Sequence, residues 1–172
     1  PQDIVVLLKV HSCQPPDWKY GDLAKSLGMS ASSVHAALKR CEISGLYERG
    51  EKRVLKTPLL EFLLHGVKYV FPAPPGAISR GIPTAHSAEP LKSQLMGSSD
   101  VPYVWAYPTG EVRGQVIEPL YRSVPDAVQN DPNLYELLTL VDGIRVGRVR
   151  EQRLAATELS QRLKTSSAPR AK

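Results

Sequence analysis

Ile4, Leu7, Leu8 and His11 recur at helical spacing and predict an amphipathic helix over residues 2–12. Pro15, Pro16 and Asp17 break it. Leu23, Ala24 and Leu27 then mark a short helix over 22–27, which Gly28 terminates. Ser30 is a strong N-cap residue, and Val34, Leu38 and Cys41 give the buried stripe of a third helix that ends near Gly45. Leu46–Arg49 and Arg53–Leu55 are short strand candidates around the polar turn Gly50-Glu51-Lys52. Thr57 as N-cap with Pro58 at the first helical position predicts a further helix. Leu59, Leu60, Phe62, Leu63 and Leu64 make that helix apolar almost all round, as in a core or a subunit interface.

The pattern changes after Pro72. Pro74, Pro75, Pro83 and Pro90, with several Ser and Gly, predict an extended arm or partly ordered loop over 73–100. Val101–Tyr107 and Val112–Ile117 flank Pro108-Thr109-Gly110-Glu111 and read as a β-hairpin. Asp131 and Pro132 start a helix carrying Leu134, Leu137, Leu138 and Val141, which Gly143 and Gly147 interrupt or follow. A polar, basic helix continues from about Arg148 to Leu163, and a disordered tail is expected over 166–172. No internal repeat is evident. The fold class expected is α+β: a mainly helical winged helix-turn-helix over 1–72, the arm over 73–100, and a β-hairpin with helices over 101–165.

With 42% hydrophobic residues among 172, one domain has enough material for a core, and with two Trp and two Phe that core is mainly aliphatic. No apolar run approaches the roughly 18 residues a membrane helix needs, so no membrane partner is expected. No signal peptide is legible, and two cysteines give neither a disulfide framework nor metal spacing. A reducing, cytoplasmic setting fits. The net charge of +5 is modest, but its distribution is informative. Residues 1–72 hold ten Lys/Arg against seven Asp/Glu, residues 73–142 four against eight, and residues 143–172 eight against two. Two basic blocks flank an acidic middle, which suits a polyanionic partner or a solvated charged surface.

The run Tyr20-Gly-Asp-Leu-Ala-Lys-Ser-Leu-Gly-Met-Ser-Ala-Ser-Ser-Val-His-Ala-Ala-Leu-Lys-Arg-Cys-Glu-Ile-Ser-Gly-Leu resembles the helix-turn-helix of MarR-like winged-helix regulators. The resemblance implies double-stranded DNA as partner. Physical chemistry points the same way independently. A recognition helix presents its N-terminal residues to base edges in the major groove, and small side chains there allow close approach. Ser30, Ser32 and Ser33 supply them, and their hydroxyls and the helix amides can bond phosphate. His35 and Lys39 lie one turn apart, away from Val34 and Leu38, so both can enter the groove, while Arg40 is placed for the DNA backbone. Arg49, Lys52 and Arg53 surround a hairpin tip suited to phosphate or minor-groove contact. Residues 30–56 carry six Lys/Arg against three acids, more basic than expected of a winged helix used for protein contacts only.

No catalytic set, P-loop or dinucleotide fingerprint is present, and no cofactor or metal is expected. His11, His35, His65 and His86 are scattered, and His65 on its apolar helix reads as an interior or interface residue. Cys41 reads as core, with redox sensing as the alternative. Asp142 and Glu136 read as single acids on a helix. Arg145, Arg148, Arg150 and Arg153 crowd one stretch, suited to DNA, an acidic partner or a second subunit. The run from Leu134 to Glu151 is similar to the C-terminal part of small helix-turn-helix proteins of toxin and phage-defence loci, which implies a repressor or antitoxin-like role. The function expected is a sequence-specific DNA-binding transcriptional regulator, an autoregulatory repressor acting as a homodimer. The alternative is an antitoxin-like module whose C-terminal half binds a partner protein.

Overall fold

The computed structural model describes residues 1–13, 17–95 and 101–165; the tail expected over 166–172 and the Pro15-Pro16 break lie outside them. The fold is mixed α+β, mostly helical, with small sheets. Helix α1 (Gln2–Ser12) buries Ile4 to Leu8, Val10 and His11. Seven buried residues in eleven make it a central helix rather than the one-sided one its spacing predicts. It packs against α2 (Tyr20–Leu27) and α3 (Ala31–Ile43). Two short antiparallel strands follow, β1 (Tyr47–Glu48) and β2 (Arg53–Val54). Their turn is closed by the Lys52 amide donating to the Arg49 carbonyl at 3.2 Å.

Helix α4 (Lys56–His65) starts earlier than Thr57 and Pro58 suggest; its N-cap is Leu55, without a side-chain cap. The short α5 (Val67–Val70) leads to β3 (Ile78–Thr84), inside the stretch expected to be an arm. A 3₁₀ turn at Ala85–Ser87 and the short α6 (Leu91–Gln94) follow. Those residues are therefore structured, and Leu91 is fully buried.

Strands β4 (Tyr103–Ala106) and β5 (Val112–Val116) do not form the hairpin expected of them. Both pair antiparallel with β3, and with each other they run parallel, Tyr103 opposite Gln115 and Val104 opposite Val116. Gly81 of β3 is opposite both Ala106 and Val112, so the 107–111 turn crosses β3 there. Two glycines permit the crossing. A Cβ on Gly110 would lie 2.4 Å from the Gly81 carbonyl carbon, and a Cβ on Gly81 2.0 Å from the Trp105 oxygen.

The helix α7 (Val124–Ala127) and a 3₁₀ turn at Val128–Asn130 lead to α8 (Pro132–Val146), capped by Asp131, whose carboxylate accepts from the Leu134 amide. Helix α8 continues through Gly143 and stops at Gly147; α9 (Val149–Thr165) returns along it, burying Ala155, Leu159 and Leu163. One hydrophobic core runs from Ile4 to Leu163 and includes residues of both halves. Lys9 of α1 pairs with Asp131 at 2.6 Å, tying the first helix to the start of α8.

Asp142 and Arg145 are not a lone acid and a surface cation. Both are buried and paired at 2.7 Å. The second Asp142 oxygen accepts from the Thr84 hydroxyl at 2.9 Å and the Trp105 indole at 2.7 Å. Arg145 also donates to the Phe71 and Glu118 carbonyls. Burial pushes the Asp142 carboxyl up in pKa; the Arg145 guanidinium and the two neutral donors oppose that shift. The network fastens α8 to β3, β4 and the chain entering β3.

Candidate nucleic-acid interface

The turn from α2 to α3 is set by Gly28, whose φ of 60° is the left-handed conformation that favours glycine. The Met29 amide returns to the Ala24 carbonyl at 2.9 Å, closing the end of α2. Ser30 then caps α3 by accepting from the Ser33 amide at 3.1 Å. Its hydroxyl also lies 2.9 Å from that of Ser32 and 2.7 Å from that of Ser33. Three hydroxyls are thereby gathered over the first turn of a thirteen-residue helix, at its positive dipole end.

Val34, Ala37, Leu38 and Cys41 are spent on the core. On the opposite side, Ser32, His35 and Lys39 form one exposed stripe at helical spacing. The His35 ring is held by Tyr20, 5.4 Å between centroids and tilted by 53°. Trp18 meets Tyr20 edge-on at 5.6 Å, and Lys52 places its ammonium 5.2 Å above the Trp18 ring while donating to the Trp18 carbonyl. A line of rings therefore runs from the β1–β2 turn to the α3 stripe. Sequence reasoning missed Trp18 and Tyr20 as neighbours of the α3 stripe; the signal was available in two aromatics flanking Lys19, the N-cap of α2.

The remaining predicted cations are occupied. Arg40 turns to α1 and binds both oxygens of Asp3, at 2.6 and 2.8 Å, instead of reaching outward. Arg49 pairs with Glu42 at 3.2 Å, and Arg53 with Glu48 at 2.6 Å and Glu51 at 2.9 Å. Each of these arginines is about half exposed, and pairs of that kind contribute about 0–1 kcal/mol. A phosphate can displace the carboxylate at little cost. The structure thus gathers Ser30, Ser32, Ser33, His35 and Lys39 on one surface, and sets Arg40, Arg49, Lys52 and Arg53 beside it in partnered states.

The segment entering α7 also touches this site. Ser123 donates its hydroxyl to the Leu27 carbonyl at 2.5 Å, and a Cβ on Gly28 would sit 3.3 Å from the Ser123 Cβ. No protein-family model matches the chain, and no curated protein or solved structure does.

Outside this surface the chemistry is sparse. Among the described residues no group of three or more His, Cys, Asp or Glu is arranged to hold a metal ion. None of the helices among them is long and apolar enough to cross a membrane. Burial pushes the Cys41 thiol up to about 12, leaving little thiolate at neutral pH, and raises Cys13 as well. His65 is exposed rather than interior. Helix α4, expected in a core or a subunit interface, buries Leu59 and Leu63 in the core and leaves Leu60, Phe62 and Leu64 half-buried, while α9 buries Ala155, Leu159 and Leu163.

Proposed function

We propose that this chain is a winged helix-turn-helix protein that reads double-stranded DNA, with α3 as recognition helix and the β1–β2 hairpin as wing. The carrying observation is the uncovered stripe of Ser32, His35 and Lys39 beside a serine-capped helix start. Base edges are met by that stripe, phosphates by the Ser30–Ser33 end of α3. Arg49, Lys52 and Arg53 exchange their present partners for backbone phosphates. Two copies reading a palindrome fit a repressor of its own operon, acting as a homodimer in the cytoplasm.

Selection of binding sites from random duplex DNA tests this reading. The expected result is a preferred palindromic sequence whose recognition is abolished by joint replacement of Ser33, His35 and Lys39 with Ala, the helix content staying unchanged. Unchanged affinity of that triple variant places recognition elsewhere. Sedimentation at micromolar concentration showing only monomer removes the dimer.

A second reading, an antitoxin-like module that binds a partner protein through residues after 100, draws on Val149. It is 65% exposed at the start of α9, beside the exposed Arg150 and Arg153. Copurification of a partner that depends on these residues favours it.

A further inference from the structure

Arg80 and Arg113 are directly opposite each other on β3 and β5. Opposite residues of an antiparallel pair share a face, with Cβ atoms about 4.5–5.5 Å apart, and like charges in that relation are destabilising. Both arginines are exposed. Neither has a carboxylate within ion-pair distance among the described residues, unlike Arg40, Arg49, Arg53, Arg145 and Arg162. Their placement is also against the local charge. The segment 73–142 has only four Lys/Arg against eight acids, yet two of the four stand side by side. The same face continues with Ile78, 59% exposed, opposite Gln115, whose amide adds a hydrogen-bonding group next to the guanidiniums.

We propose that Arg80 and Arg113 form a phosphate clamp that holds the sugar–phosphate backbone of duplex DNA, at a surface separate from α3 and the wing. Two adjacent guanidiniums call for two adjacent anions. An acidic protein surface must bring two carboxylates together against their own repulsion. Duplex DNA already carries a charge about every 1.7 Å along its axis, and guanidinium forks match phosphate oxygens. The clamp has no base-reading group, so its contribution is sequence-independent. It goes beyond the α3 reading and shares with it only the identity of the polyanion.

The test is fluorescence anisotropy of a random-sequence duplex with the full chain, between about 50 and 200 mM salt. For Arg80→Gln/Arg113→Gln, Kd should rise about tenfold and the salt slope should become shallower by about 2. Its melting temperature should equal or exceed that of the parent, because the opposed charges are gone. Unchanged affinity and slope overturn the clamp. If the Gln pair melts lower, R80K/R113K decides: a slope like the parent's supports the clamp, and one like the Gln pair's overturns it. Poly-glutamate that displaces the probe as well as unlabelled duplex does at equal charge assigns the face to an acidic protein and also overturns it. Repeating the Gln pair in the Ser33, His35 and Lys39 triple variant separates the two ideas: a slope change that persists there keeps the clamp even where the reading of α3 fails.

Discussion

Arg40 holds Asp3 through both carboxylate oxygens, so the recognition-helix candidate is pinned to the first helix by a pair half open to solvent. Asp3→Ala should therefore alter folding stability by less than about 1 kcal/mol in urea titrations. It also releases a guanidinium at the edge of the proposed interface. Duplex affinity should rise a few-fold at low salt; a fall would show that Arg40 serves DNA only from its present position.

Asp142 is the one carboxylate among the described residues that receives Arg145, Thr84 and Trp105 together. Asp142→Ala strands the buried Arg145 charge and should cost about 3–5 kcal/mol, read as a shift in the urea midpoint. Trp105→Phe removes only one neutral donor and should cost markedly less. Equal losses would mean that packing rather than charge governs the site.

His11 is buried, and desolvation, then the Lys56 charge, lower its pKa below the usual 6.5. The unfolded chain then binds the proton more readily than the folded one. Stability from this group is complete above about pH 6.5 and declines as pH falls from there toward the lowered folded value. Melting temperatures between about pH 7.5 and 5.5 should fall on acidification, and His11→Gln should flatten the curve in that window.

A methyl group on Gly143 would lie 2.7 Å from Leu91 Cδ1 and 2.9 Å from Ala155 Cβ, between α8, α6 and α9. Helix propensity favours Ala over Gly by about 1 kcal/mol. Overpacking of a close helix contact costs about 1–3 kcal/mol and should win. Gly143→Ala is expected to lower the urea midpoint; a rise would mean that Leu91 swings aside freely.

Much of the first half was legible because its signals are local. Gly28, Ser30 and Gly45 punctuate the helices, and Val34, Leu38 and Cys41 repeat at one period. The α1 pattern was legible as helix but not as a central one, since its second buried side depends on α8, over a hundred residues away. Strand β3 was hidden by Pro83 and by neighbouring prolines. Its pairing is wholly non-local: Gly81 finds partners at Ala106 and Val112. The Pro108-Thr109-Gly110-Glu111 turn is real, but its glycine lets one backbone cross another instead of joining a hairpin. In the candidate site, the stripe residues followed from helical spacing. The pairing of Arg40 with Asp3 and the tilted ring contact of His35 with Tyr20 did not, because both depend on how separate helices meet.

The Ser123 hydroxyl on the Leu27 carbonyl makes the bend between α2 and α3 a jointly owned element. Its inner wall comes from the first thirty residues and its outer strut from the approach to α7. Truncation before that strut would remove the outer support of the α2–α3 turn. A displacement of the 121–127 segment, whatever drives it, reaches the α2–α3 turn through Ser123, so the later part of the chain has a lever on where α3 starts.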